Sequence, residues 1–399
     1  MIKIGEPNAT DQSQHWHQQA ILELAFRPFF LLATLSSAIS IGLWILLLNG
    51  NMLIGSQGLS PHVWHAHEML IGFGTTVAVG FILTAVQTWT GQPSIKGKAL
   101  AGLVLLWCLA RIGFYINDAN SAIAATALQG LWWLSVVVIY SKLVFKAQNR
   151  RNYIFIALLS VMTLINLGML IADLNGNSAL ALHLSRTMVL LFTIMMALVG
   201  GRVIPFFTVR GAKTEAIECP AWINQLVGPF AIATVLVFIS DYFTATFGIV
   251  PIALMALGLL HLLRLAYWRS IKTVKVPLLW SLHLSYLLMA LGLILLGASY
   301  DLPQLTFSNA LHLITIGAIG LMIFAMMSRV SLGHTGRTLV IKPVITLAFL
   351  LLVAATLIRT FMAITDPLQA WNISAGLWIT ASVLFLVVYV PILSSKRQS

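Results

Sequence analysis

Several ionisable side chains stand inside long apolar runs: His65, His67, Glu68, Arg111, His183, Arg186, Arg202, His283, His312 and Arg359. A charged group at the centre of a bilayer costs roughly 2.5–3.5 kcal/mol on insertion scales, so such residues are functional candidates by default. Neutral imidazole ligates haem iron or copper. A guanidinium pairs with carboxylates as a planar fork. His65, His67, His183 and His312 open their runs at one common end, and Arg186 follows His183 by about a turn. Arg111 and Arg359 lie within about two turns of that same end. A haem set edge-on to this surface would use both sets, histidines on the iron and arginines on the propionates. The competing reading leaves each histidine wet and unliganded at the interface.

Trp64-His65-Ala66-His67-Glu68-Met69 is the densest stretch. In a regular helix His65 and His67 point about 200° apart, so one binds while the other packs. Glu68 belongs to no HExxH pattern, which excludes a zinc protease of that kind. Gly74, Ala78 and Ala85 form a small-residue stripe below His67. It admits a flat macrocycle or a neighbouring helix, and helix packing is the commoner cause. In Gly200-Gly201-Arg202, with Pro205 following, a kink and a snorkelling Arg202 are both open readings. His283 opens its run at the opposite end, so it is a metal candidate apart from the cluster. Gly333-His334-Thr335-Gly336-Arg337 reads as a turn, or as an anion loop. Met195, Met196, Met322, Met326 and Met327 are soft copper ligands or core filler.

The elements that position these residues follow from composition. Of 399 residues, 59% are apolar and 9% charged, against about 25% charged in a soluble domain. A helix needs about 20 apolar residues to cross the hydrocarbon, and backbone groups in lipid must pair internally. The sequence therefore predicts an all-α, polytopic membrane bundle of twelve spans. They are 28–48, 64–88, 99–116, 122–145, 153–172, 180–207, 222–240, 246–267, 279–299, 306–328, 344–364 and 370–393. Residues 1–399 read as one membrane domain, with 1–25 and 394–399 as cytoplasmic ends. The first two dozen residues are polar and show no cleavable signal.

Alternate loops carry the Lys and Arg residues, whereas loops 49–63, 117–121, 173–179, 241–245, 300–305 and 365–369 have none. Positive loops stay inside. The net charge of +12 is thus a topology signal, and it does not argue for nucleic acid. Cys108 and Cys219 are too few for a disulfide framework or a zinc ribbon. Spans 2, 6 and 10 each begin with histidine, four helices apart. This predicts three four-helix units around a pseudo-threefold axis, with His65 or His67, His183 and His312 near the centre.

Longer motifs carry a family resemblance. Ala25-Phe26-Arg27-Pro28-Phe29-Phe30, residues 64–69 and Thr84-Ala85-Val86-Gln87-Thr88-Trp89-Thr90-Gly91 resemble the NnrS family. So do Gly201-Arg202-Val203-Ile204-Pro205-Phe206-Phe207-Thr208 and residues 328–337. The resemblance implies a bacterial inner-membrane protein with haem and copper, acting in the nitric oxide response and in resistance to nitrosative stress. Whether it turns over a substrate stays open. The arrangement is also similar to haem–copper oxidases and nitric oxide reductases. Span 7 lacks histidine, however, and span 10 has one rather than a pair, so their three-histidine copper centre is not carried across. The leading expectation is a haem- and copper-binding protein that binds or transforms nitric oxide. His312 with His65 or His67 are the expected iron ligands, and His183 is the candidate for a second metal. Arg111, Arg186 and Arg359 are the expected anion holders. The alternative is a transporter of a metal, haem or an anion.

Overall fold

A computed structural model describes residues 20–51, 58–245 and 248–398. Among them there is no strand, and twelve helices are long and apolar enough to cross a membrane. They are α1 (Phe26–Leu48), α2 (Pro61–Thr90), α3 (Gly97–Ile116), α4 (Ala119–Lys146), α5 (Arg150–Leu174) and α6 (Ser178–Gly211). They continue with α7 (Ala221–Ser240), α8 (Ile249–Ala266), α9 (Pro277–Ala298), α10 (Phe307–His334), α11 (Pro343–Ile364) and α12 (Pro367–Leu393). Each coincides with an expected span. The longest extensions are at the ends of α10, which runs to His334 rather than 328, and α6, which runs to Gly211 rather than 207.

Burial sorts the helices into two shells. The apolar windows of α2, α6, α9 and α10 are 83, 72, 67 and 67% buried, whereas the other eight are 33–44% buried. Neighbours repeat with a step of four. α2 packs on α6, α6 on α10 and α10 on α2, while α4 meets α5, α8 meets α9 and α12 meets α1. This is the contact pattern of three four-helix units around one axis. The symmetry is incomplete, since α9 is central while its counterparts α1 and α5 are peripheral.

Two central helices depart from α geometry. Glu68–Thr75 in α2 and Leu313–Gly320 in α10 are π-helical. α6 is regular from Ser178 to Gly211, through Pro205. The kink left open at Gly200-Gly201 is not marked by any interruption of that helix.

Three aspartates of the Lys/Arg-free loops have structural roles. Asp118 caps α4 in a capping box with Ser121. The backbone N–H of Ser121 holds the Asp118 carboxyl below its ordinary range. Asp366 accepts from the Gln369 N–H at the start of α12. Asp173 accepts from the Ser60 N–H (2.6 Å) and from the hydroxyls of Ser60 and Ser178 (2.9 and 2.6 Å), which fixes the entry to α2. At the opposite end, buried Arg27 of α1 donates to the carbonyls of Leu393 (3.0 Å) and Ser395 (2.6 Å), and it pairs with Glu23 at 3.1 Å. A cation suits the carbonyl-rich end of α12.

Candidate functional site

The histidines and arginines expected at one depth separate into three groups. The first surrounds a cavity bounded by α1, α2, α10 and α12 with contributions from α6 and α11. His65, His312 and Arg359 line it among apolar walls, and Phe73, Ile319 and Trp378 line its deeper part. The His65 ring stacks on Trp44 with centroids 4.5 Å apart and planes 17° from parallel. Its Nδ1 is buried with no hydrogen-bond partner. His312 Nδ1–H donates to the Ser308 carbonyl at 2.6 Å. That bond fixes the tautomer and leaves the Nε2 lone pair for another partner. Arg359 donates to Asn309 Oδ1 (2.8 Å) and Ser308 Oγ (3.2 Å) and lies 5.5 Å from the Trp371 ring centroid. Among the described residues it has no carboxylate partner.

The second group lies on the other face of α2, as the 200° divergence requires. His67 is fully buried against Phe114, with ring centroids 4.5 Å apart. Its Nδ1 is 3.0 Å from Glu68 Oε1, which also accepts from Arg111 Nη1 at 2.8 Å. Arg111 reaches Gln129 Oε1 with Nη2. A Cβ on Gly72 would come within 2.9 Å of Arg111 Nη1 and 3.0 Å of Glu68 Oε2, so that position must stay bare. Neither His67 nor Arg111 lines the cavity. Arg111 has its anion in Glu68, whereas Arg359 has neutral partners only.

The third group is on α6. His183 lies parallel to Phe238, with centroids 4.7 Å apart and planes at 4°, and its Nε2 is buried without a partner. Arg186 sits 4.8 Å from the Phe307 ring centroid. Ser185 and Val189 of the same helix line the cavity, but His183 and Arg186 do not.

His283 is elsewhere, at the end with basic loops. Thr208 Oγ1 (2.7 Å) and Ser270 Oγ (2.9 Å) engage its two ring nitrogens. Among the described residues no three His, Cys, Asp or Glu side chains gather. The stripe below His67 serves helix packing, since a Cβ on Gly74 would meet Phe192 of α6 at 3.0 Å.

Comparison with protein families adds the deciding observation: the model described as NnrS protein matches residues 20–397. The chain belongs to the NnrS family. No curated protein matches it.

The NnrS chain also holds a buried polar group that the sequence reading passed over. His261 Nδ1 is 2.8 Å from the Tyr286 hydroxyl, and His261 is fully buried. Arg264, one turn on, donates to Asn224 Oδ1 (2.9 Å), the Ala197 carbonyl (3.0 Å) and Tyr286 (3.3 Å). The i, i+3 spacing of His261 and Arg264 on one helix face was the available signal. Arg264 also explains Gly201. A Cβ there would be 2.6 Å from the guanidinium carbon, so the glycine is a seat for Arg264 rather than a hinge. Gly201→Ala should destabilise the protein by about 1–3 kcal/mol, as overpacking does, and lower the unfolding temperature of the detergent-solubilised protein. An unchanged midpoint would show that Arg264 has another place to go. Arg202 donates to Asn152 Oδ1 at 3.1 Å. Gly336 adopts φ +75°, and the Gln398 N–H donates to the Thr335 carbonyl, so residues 333–337 form a tied turn.

Proposed function

We propose that the cavity binds haem, with His65 and His312 as the iron ligands and Arg359 on a propionate, and that the protein meets nitric oxide there in the response to nitrosative stress. One observation carries this reading. Two imidazoles from different central helices line one apolar cavity, each with a ring nitrogen uncommitted, beside an arginine that has no carboxylate of its own. The contrast with Arg111 supports it. In the first unit the arginine near this end is neutralised by Glu68, while in the third Arg359 awaits an acid.

Haem bound there would supply iron that could take nitric oxide as a ligand in place of one of the two imidazoles. The chain's own part is to aim Nε2 of His312 through the Ser308 bond, to stack His65 on Trp44, and to exclude water with apolar walls. Nitric oxide is small, neutral and lipid-soluble, so a site within the membrane meets it directly. No step is assigned to copper. Purification and an absorption spectrum test the reading: a Soret band that shifts with nitric oxide supports it, and a colourless protein favours a transporter.

Arg359→Gln should reduce haem retention during purification more than Arg202→Gln, because Arg202 faces Asn152 at the other end. Equal retention would remove Arg359 from the site. Arg186→Leu should fall between them.

The proposed setting is the bacterial inner membrane with both termini cytoplasmic, supported by the absence of Lys and Arg from alternate loops. Reporter fusions at 119, 176, 243, 303 and 367 should register the periplasm, and those at 94, 148, 214, 272 and 336 the cytoplasm. Position 56 should also be periplasmic, although it lies outside the described residues. One reversed pair would contradict the orientation.

A further inference from the structure

The histidines that open α2, α6 and α10 have different fates. His65 and His312 line the cavity, and π-helical segments begin three residues and one residue after them, at Glu68 and Leu313. His183 opens a helix that is α throughout, and it lies on Phe238 outside the cavity lining. A π segment takes an extra residue into a turn. Relative to a continuous α-helix, the part before it is rotated by about 100° against the part after.

The downstream parts of both helices are pinned by close packing. A Cβ on Gly80 would meet Phe29 at 3.0 Å, and Phe324 packs edge-on against Trp378 and Phe385 with ring centroids 5.9 and 5.6 Å apart. Their facing is fixed, so the π segment decides where the upstream turn points. In α2 the widened ladder is secured by side chains. The hydroxyls of Thr75 and Thr76 donate to carbonyls five residues back, Leu70 (3.0 Å) and Ile71 (2.9 Å). The indole N–H of Trp107 on α3 donates to Thr76 Oγ1 at 2.7 Å.

We infer that the π-helical segments Glu68–Thr75 and Leu313–Gly320 are positioning devices that aim His65 and His312 into the cavity, and that Thr76, gripped by Trp107, holds the first in its widened form. The haem reading enters only one arm of the test.

The first arm needs no cofactor. In haem-free protein lacking Cys108 and Cys219, the pair Trp44→Cys/His65→Cys should be bridged by a short bifunctional thiol reagent, because the two native rings fill the space between their backbones. Deleting Met69, which removes one residue from the π segment, should reduce that yield several-fold while the protein still inserts. Failure of the parent pair to cross-link, or an unchanged yield after the deletion, overturns the inference. In the second arm, Thr76→Val should shift or weaken the haem spectrum, and Thr76→Ser should restore it. This pair covers the case in which the deletion variant does not fold. A Thr76→Val protein with the parental spectrum removes Thr76 from the role. A parent that binds no haem defeats the proposed function instead, and the cross-link still decides the role of the π segments.

Discussion

His312→Ala should abolish the haem spectrum or change its form, while the protein still inserts and purifies. His312 is half-buried at a cavity wall, and among the described residues its one hydrogen bond is to the Ser308 carbonyl. Losing a single neutral bond costs about 1 kcal/mol, too little to unfold a bundle of twelve helices. His65→Ala should share the phenotype, because the same cavity is lined by both rings. His67→Ala should not, since its ring faces Phe114 and Glu68. Absorption spectra of the three variants, with and without nitric oxide, provide the check. A native spectrum in His312→Ala together with its loss in His283→Ala would move the haem to the basic end and refute the assignment. Since both nitrogens of His283 are engaged, its replacement should lower stability and leave the spectrum alone.

The second large effect belongs to Glu68. Removing one partner of a buried ion pair leaves an uncompensated charge and costs about 3–5 kcal/mol. Glu68 is fully buried and Arg111 nearly so, and they meet at 2.8 Å. Glu68→Leu should therefore sharply lower the unfolding temperature, as should Arg111→Leu. The double variant should recover much of the loss, because contacting residues are not additive. A normal midpoint in Arg111→Leu combined with weak haem retention would restore Arg111 to the cofactor, as the sequence alone had suggested.

Span number and spacing were legible because lipid forces long apolar helices, and twelve such runs are visible in the sequence. The four-helix repeat was legible from three histidine-led spans. Grouping at the site was less so. Sequence depth placed His65, His67, His183 and His312 together, but depth does not fix facing. The 200° argument separated His65 from His67 correctly without saying which faced the cavity. That choice depends on the register of α2 against Trp44 and Phe114, and on π segments that no residue pattern announced. That Glu68 pairs with Arg111 and not with Arg359 needed the helix neighbours. His261 escaped notice because its run is otherwise plainly apolar, and Arg264 counted only among the basic residues that set the topology.

Arg27 bears on how the protein is made. Its guanidinium holds carbonyls at the end of α12, and α1 packs along α12. Helices emerge from the ribosome in chain order, so α1 is in the membrane long before its permanent neighbour has been synthesised. Until then one flank of the bundle stays open, and Arg27 has Glu23 but not the α12 carbonyls it holds in the finished fold. Assembly intermediates halted before residue 393 should accordingly be substrates for membrane proteases, and completion of the ring should be the step that releases the chain from quality control.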